Sequence, residues 1–397
     1  MDDYDIVVAG GGPVGSFVAE QLASKGRYVA VFEEHKTIGQ PLHCAGLVTQ
    51  RVFDISKCSQ LGIVQNKICG AYIHSPSGTT LTIGENKVHG LVIDRQKFDE
   101  SIAKKAQKAG ANFSLENKVV SAIKKENQIQ LIIQKKKQTS TVRCSILIGA
   151  DGPYSNIRKI FRFPQPIEML QGIGAELSDT VLNPHFVHIF LGTSIAPGFF
   201  AWVIPTNAHG STARIGLCIG KQSPHSLQHY YTILLQQPLL QGTTVMRRFG
   251  GVIPLGIIKK TIDDNVMIVG DAAAQIKPTS GGGIYPGLFC AVKCANVAEK
   301  ALQKKQFDER FLKQYHTKWI KEIGRELFLG MKFRKIFISL TDAQLNKYLE
   351  KLNNQKTIKI INTHGDIDYP SRLISPLIRA SPSLLSLVPR MLKQTKQ

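Results

Sequence analysis

The chain has 397 residues, 43% of them hydrophobic and 20% charged, enough apolar material for roughly two or three packed domains. No stretch reaches the ~20 apolar residues of a membrane span, and Asp2, Asp3 and Asp5 are of the wrong sign for a secretory leader, so the expected location is the cytoplasm. Fifty Lys and Arg against 29 Asp and Glu give a net charge of +21, which favours anionic partners such as lipid headgroups, phosphorylated substrates or an acidic redox protein; with no recognisable nucleic-acid module beside it, nucleic acid is not expected.

The first element is an apolar run, Ile6-Val7-Val8-Ala9, that meets glycines at Gly10, Gly12 and Gly15. A helix is predicted from Pro13 to Lys25, then a second apolar run from Tyr28 to Phe32 that ends on Glu33. In a strand–turn–helix–strand unit, Gly10 allows the tight turn, Gly12 lets backbone approach a pyrophosphate, and Gly15 lets the helix pack on the strand. The helix turns its free N–H groups and positive dipole end toward the phosphates, and Glu33 stands where a carboxylate accepts ribose hydroxyls. The unit points to a dinucleotide without saying which.

A loop from His35 to Gln40 leads into Pro41-Leu42-His43-Cys44-Ala45-Gly46-Leu47-Val48, too punctuated by Pro and Gly for a helix, so Cys44 is placed on an ordered loop. A helix is predicted from Val92 to Ala109, capped by Asp94, with Phe98, Ile102 and Ala106 on its apolar face and Gly110 at its end. Arg95 falls in its first turn, where a cation opposes the dipole, a mismatch that hints at an outside partner. Strands follow at Asn112–Leu115, Val119–Ile123 and Gln128–Ile133, with Lys135, Lys136 and Lys137 at a hairpin tip. The continuous apolar run from Cys144 to Gly149 reads as a strand buried on both faces, and it ends in Ala150-Asp151-Gly152 with Ser155 and Arg158 beyond.

From Ile167 to about Lys260 the pattern changes to alternating, aromatic-rich strands at Val187–Leu191, Phe199–Pro205 and Arg214–Ile219, with one helix near Ser226–Gln236. Asn265–Val269 is another buried strand running into Gly270-Asp271-Ala272-Ala273. Gly281-Gly282-Gly283 then precede Ile284, which opens a helix to about Gln303 and forms a second glycine-rich helix N-terminus. The division expected is a discontinuous Rossmann-like domain (residues 1–165 and 249–305), an inserted antiparallel domain (166–248) and a helical C-terminal region (306–397), giving an α/β fold. The segment from Pro370 to Lys393 mixes Leu and Ile with Arg372, Arg379, Arg390 and Lys393, as a basic amphipathic helix does at a bilayer surface or as a cap on the core. Seven cysteines without a CxxC pair indicate neither a metal site nor a secreted disulfide framework.

In this order the motifs resemble those of FAD-dependent oxidoreductases of the para-hydroxybenzoate-hydroxylase type. Gly10 to Glu33 is similar to their ADP grip, Gly149-Ala150-Asp151-Gly152 with Ser155 and Arg158 to their second motif, and Gly270-Asp271 to their third. Two further stretches resemble the geranylgeranyl reductase family: Pro41-Leu42-His43-Cys44 is similar to its Pro-x-x-Cys motif, and Phe200-Ala201-Trp202-Val203-Ile204-Pro205 to the motif lining its substrate pocket, with Ile204 in place of the usual aromatic. The run from Lys277 to Tyr285 is also similar to archaeal members, although Ala274 stands where a glycine is common.

The resemblance implies a tightly held FAD, with Glu33, Arg95 and the Val119 backbone at the ADP moiety. It places Asp151 in the second motif, Gly270 and Asp271 at the ribityl–phosphate link, and Gly282, Gly283 and Ile284 at the pyrimidine edge of the ring. Cys44, Ala45 and Leu47 would flank the flavin, and Phe200, Trp202 and Pro205 would line the prenyl pocket. Cys44 is the implied catalytic candidate, as proton donor or pocket former, and it has the alternative of pairing with Cys290. The implied reaction is reduction of prenyl double bonds in an isoprenoid lipid, foremost the geranylgeranyl chains of an archaeal-type ether phospholipid precursor. Geranylgeranyl diphosphate or a prenylquinone is the alternative substrate, and a flavin monooxygenase or halogenase the alternative chemistry. No second nucleotide-binding unit is visible, so electrons would come from an external donor: ferredoxin, reduced deazaflavin or NAD(P)H. Peripheral contact with an anionic membrane surface is expected from the basic C-terminal segment.

Overall fold

Strand β1 (Asp2–Ala9) is buried on both faces because successive side chains serve different cores: Ile6 and Val8 point to one, Val7 and Ala9 to the other. A computed structural model describes residues 2–42 and 44–380. After β1 come α1 (Pro13–Ala23), β2 (Val29–Glu33), β3 (Leu47–Val48), α2 (Gln50–Ser56), β4 (Val64–Ile68), β5 (Gly70–His74), β6 (Thr80–Gly84), β7 (Gly90–Ile93) and α3 (Arg95–Lys108). Then β8 (Asn112–Leu115), β9 (Lys118–Lys125), β10 (Gln128–Lys135), β11 (Gln138–Gly149) and α4 (Asn156–Ile160) follow. The second half holds β12 (Glu168–Ser178), β13 (Phe186–Phe190), β14 (Ala201–Pro205), β15 (Thr212–Ile219), α5 (Leu227–Leu235), β16 (Thr244–Leu255), β17 (Ile262–Asp263) and β18 (Val266–Ile268). It closes with α6 (Ile284–Lys304), α7 (Glu309–Trp319), α8 (Arg325–Ile338), α9 (Asp342–Leu352), α10 (Gln355–His364) and α11 (Ile374–Ala380).

The first sheet has a parallel centre in the order β18-β11-β1-β2-β8, with β17 antiparallel at one end and the β9–β10 hairpin folded back onto the start of β11. Helices α1, α3 and α6 cover one face, joining Phe17, Leu22, Phe98, Ile102 and Leu288 to Ile6 and Val8. The hairpin and α4 cover the other, where Val119, Leu131 and Ile157 meet Val7 and Ala9. Asp94 caps α3 as predicted, its side chain accepting from the Lys97 N–H. Val92 is not helical: with Leu91 and Ile93 it forms the buried strand β7 between β3 and β4, and the helix begins only after the cap.

The second sheet runs β16-β12-β15-β14-β13-β5-β6 and is antiparallel except for the parallel pair β13–β5. Residues 70–84, which the sequence division puts with the first sheet, thus supply two strands of the second. Ala201, Val203, Ile215 and Leu217 pack beneath Tyr231 and Leu234 of α5. Trp202 and Ile204 take the opposite face, with Val187, Ile68, Ala45 and Leu47. The fold is α/β: a Rossmann-like sheet, a largely antiparallel second sheet and a helical C-terminal region.

That last region is fastened at both sheets. Trp319, Tyr315 and Leu312 of α7 enter the first core, while buried Arg334 of α8 holds Glu168 of β12 through Nε at 2.8 Å and Nη2 at 2.7 Å. No helix among the described residues is long and apolar enough to cross a membrane. Leu384, Leu385, Leu387, Arg390, Leu392 and Lys393 of the amphipathic segment lie outside the described residues.

Candidate cofactor and substrate site

Glycine turns open both α1 and α6, helices that pack against each other through Val14 and Gly287. Gly10 has a φ of +99°, and a Cβ there would lie 2.4 Å from the Ala150 carbonyl oxygen, so the turn requires glycine and sits directly against the Asp151 motif. On Gly15 a Cβ would come within 2.0 Å of the Gly10 oxygen. On Gly12 it would meet nothing within 4 Å, leaving open space where a ligand can approach backbone. The second turn is as crowded: Cβ atoms on Gly282 and Gly283 would each fall 2.8 Å from a side chain, Lys277 and Asp271 respectively. Neither α1, starting after Gly12, nor α6, starting after Gly283, has a side-chain cap, a lack shared with α2 and α8, whereas α3, α4, α5, α7, α9 and α10 all have one. Two uncapped helix starts at glycine turns suit a ligand carrying phosphate and an electron-accepting ring.

Glu33 anchors the first turn from within: its Oε2 accepts from the Gly11 N–H at 2.7 Å and its Oε1 from the His35 N–H at 2.9 Å, with His35 Nδ1 2.6 Å from the same oxygen. Asp151 is similarly committed, to Ser155 Oγ at 2.5 Å and the Ile157 N–H at 3.0 Å, so it fixes the start of α4. Arg158 ties the second and third motifs together. Buried, it donates through Nη1 to the Ala272 carbonyl at 3.0 Å and through Nη2 to that of Pro153 at 2.6 Å. Gly270, with φ of +69°, is held by Gln275, and its α-carbon faces Val14 of α1. Val119 is buried on β9, where its carbonyl accepts weakly from Asn156 at 3.4 Å.

Asp271 stands apart, since among the described residues no side chain hydrogen-bonds its carboxylate. Burial pushes that carboxyl up to about 6 against the pull of the Arg95 cation, so the two charges face the same space. Arg95 itself finds its partner one turn along its own helix, with Nη2 2.9 Å and Nε 3.2 Å from the Asp99 carboxylate. Within the helix, Asp99 thus offsets the cation in the first turn of α3. The Arg95 guanidinium also reaches the Cys44 thiol.

Cys44 lies half-buried in its loop, where its Sγ accepts from the Gly46 N–H at 3.3 Å. Cys290 is wholly buried inside α6, facing the first core with Cys294 one turn on, and both Cys44 and Cys290 are free thiols. The suggested pairing is not present. Phe200 and Trp202 line the inner face of the second sheet near Ile253, and Pro205 ends that strand with its carbonyl accepting from Asn66 at 3.0 Å. Trp202 Nε1 is buried without a hydrogen-bond partner among the described residues. Phe190 belongs instead to the α5 side, and Phe186 stacks on Tyr72 at 5.0 Å.

Three buried contacts go beyond what the sequence motifs indicate. Arg214 of β15 reaches the Cys44 loop, and its one sequence signal is a lone charge at an inward position of an apolar strand. Lys277 beside the glycine triplet pairs with Asp368, so a strap of residues 366–371 lies against the second turn. Tyr285 at the start of α6 meets Tyr369 of the strap at 2.8 Å between hydroxyls. A surface cleft of about 570 Å³ between Lys25, Asn296, Lys300 and Lys318 lies toward the C-terminal ends of α1 and α6, away from both glycine turns, and takes no part in the site.

The FAD binding domain model matches residues 3–232. "Uncharacterized protein MJ1520" of Methanocaldococcus jannaschii is 32% identical over 383 residues, 96% of each chain. The digeranylgeranylglycerophospholipid reductase of the same organism is 28% identical over 392 residues, 97% of each chain. A solved geranylgeranyl bacteriochlorophyll reductase-like protein from Thermoplasma acidophilum superposes with a TM-score of 0.86 at 21% identity, covering 98% of this chain and all of the other, a likeness of fold. The open side of Gly12, the two uncapped helix starts and the unpartnered Asp271 carboxylate fit FAD. The chain belongs to the FAD-binding domain family, and FAD is its cofactor.

Proposed function

We propose that this protein is an FAD-dependent reductase that saturates prenyl double bonds of an isoprenoid lipid, foremost the geranylgeranyl chains of an archaeal-type ether phospholipid precursor. The observation that supports the reading is that the half-buried Cys44 loop packs through Ala45 and Leu47 on the apolar wall of Trp202 and Ile204, while Cys44 itself meets Arg95. Relatives named digeranylgeranylglycerophospholipid reductase, matched along nearly the whole chain, support it.

Bound FAD supplies the hydride, since an isolated trisubstituted alkene accepts one only from a strong donor held against it. The residues of the chain do the rest. Gly12, Gly283 and the first turns of α1 and α6 present N–H groups to the phosphates and to negative charge on the ring edge. Glu33 offers its remaining lone pairs to ribose hydroxyls, and Asp271 offers an unpartnered carboxylate to hydroxyls near the phosphate link. Phe200, Trp202 and Ile204 exclude water and align an apolar chain. Cys44 Sγ, next to the Trp202 wall and Arg95, is the group we assign to proton donation.

Electrons arrive from an external donor: ferredoxin, reduced deazaflavin or NAD(P)H. The net charge of +21 suits an acidic carrier and an anionic bilayer. On α8, exposed Phe328 lies 4.7 Å from Lys332 Nζ and Ile338 is also exposed, a basic and apolar surface that we assign to peripheral lipid contact.

Anaerobic incubation of reduced enzyme with the ether phospholipid, geranylgeranyl diphosphate and a prenylquinone tests the head group. The phospholipid should be reduced fastest. Preference for either alternative transfers the activity to that substrate, and product formed only with oxygen or halide replaces the reductase by a monooxygenase or halogenase.

A further inference from the structure

Arg214 is 4% exposed, yet four of its N–H groups are used, each on a different piece of the chain. From strand β15 its Nε donates to Glu176 Oε1 of β12 at 3.1 Å. Its Nη2 donates to Gln65 Oε1 of β4 at 2.8 Å, and its Nη1 to the Ile93 carbonyl at the end of β7 at 2.8 Å and to the Ala45 carbonyl at 3.3 Å. Gly46, at φ of +76°, is shaped around it, because a Cβ there would lie 2.4 Å from Nη1. The contact with Ala45 is one residue from Cys44, and Ile93 is two residues from Arg95.

Packing alone does not fix this loop. A cavity of about 200 Å³ lies beside it, lined by Gly39, Leu42, Gln65, Arg95, Arg214 and Arg247. With open volume on one side, the loop is held by directed bonds: Gly46 to Ile93, where the backbone N–H of Ile93 donates at 2.8 Å, and the Arg214 fork. Glu176 is itself braced by Arg247 at 3.0 Å, so the fork is anchored in the second sheet. Arg214 also shares its sheet face with Trp202, whose cross-strand partner Gly216 is two residues away on β15.

We infer that Arg214 is a positioning residue that sets the Cys44 loop from the second sheet, so that the thiol and the Trp202 wall are placed as one rigid unit. The inference rests on the reading that Cys44 serves the flavin site. An ammonium at this position carries the charge but lacks the planar fork that reaches Glu176, Gln65 and two carbonyls together. Arg214→Lys therefore restores only part of the function, and Arg214→Met none.

The test uses the FAD-loaded protein in a Cys69→Ser background, Cys69 being the other half-buried cysteine. N-ethylmaleimide labelling of Cys44 is followed by peptide mass, beside FAD retention and anaerobic lipid kinetics. Arg214→Met should label at least tenfold faster and lose about tenfold in kcat with KM for the lipid within twofold. Arg214→Lys should fall between it and the parent. Gln65→Ala removes one arm at an exposed position and should quicken labelling two- to threefold, which keeps the test decisive if Arg214→Met fails to fold. Unchanged labelling in the folded Arg214→Met protein, or in Gln65→Ala if only that variant folds, overturns the inference. Faster labelling in a protein whose parent reduces no prenyl lipid upholds the positioning role and removes the proposed substrate.

Discussion

Lys277 and Asp368, 91 positions apart, form a buried ion pair with Nζ 2.7 Å from Oδ1, which fastens the strap after α10 against the glycine triplet at the start of α6. The other Asp368 oxygen takes Thr49 and Arg51, and Arg51 also grips Asp366 at 2.7 Å. Removing one partner leaves a buried charge alone. Asp368→Ala should therefore cost about 3–5 kcal/mol in urea unfolding, and the double change Lys277→Met with Asp368→Leu should cost less than Asp368→Ala. A single variant no less stable than the parent contradicts the strap.

The two glycines of the first turn should separate fold from cofactor. Gly12→Ala adds a methyl to open space, so the apoprotein should melt as the parent does while FAD affinity falls by about tenfold or more, ~1.4 kcal/mol. Gly15→Ala drives a methyl into the Gly10 oxygen and should destabilise the apoprotein itself. Calorimetry of the apoproteins and fluorescence titration with FAD read the two effects independently.

Trp202 Nε1 is a buried donor without a partner among the described residues, a condition that costs roughly 1–3 kcal/mol. Trp202→Phe removes that donor along with some packing, so stability should change by less than ~1 kcal/mol in thermal melts. If the indole N–H serves a ligand, KM for the lipid should rise in the same variant. A KM equal to that of the parent shows that the ring acts by shape alone.

The outer face of the second sheet predicts a pH dependence. His74 Nε2 lies 3.0 Å from His188 Nδ1, and burial, with the neighbouring ring, lowers His188 to about 4. His74 is lowered by burial as well. A folded-state value below the unfolded ~6.5 means that the unfolded chain binds more protons between those values, so stability is complete above about 6.5 and is lost as pH falls toward 4. The loss attributable to His188 is at most ~3 kcal/mol, less after solvent screening of a partly exposed ring. Denaturation midpoints from pH 7 to 4 should show that slope, and His188→Phe should flatten it.

Local signals were legible and long-range ones were not. The Gly10 to Glu33 unit, the Asp94 cap and the Lys136 hairpin turn each lie within a few residues of what they shape, and the sequence places them where the structure does. Strands β5 and β6 escaped because β5 pairs with β13, more than a hundred residues later, and nothing in residues 70–84 names that partner. Arg95 looked misplaced in the first turn of α3, although Asp99 stands four residues on, at the i,i+4 spacing that pairs helix side chains. The resemblance brings Cys44 and Cys290 to the same flavin, but Cys290 lies in the first core beside Cys294. Arg214 and the Lys277–Asp368 pair are tertiary contacts between elements that only folding brings together.

The central claim is tested most directly by mixing dithionite-reduced, FAD-loaded protein anaerobically with a digeranylgeranyl glycerophospholipid, following the flavin absorbance and weighing the lipid. The account predicts flavin reoxidation coupled to a gain of two hydrogens for each double bond saturated. A flavin that stays reduced, with lipid of unchanged mass, would contradict it.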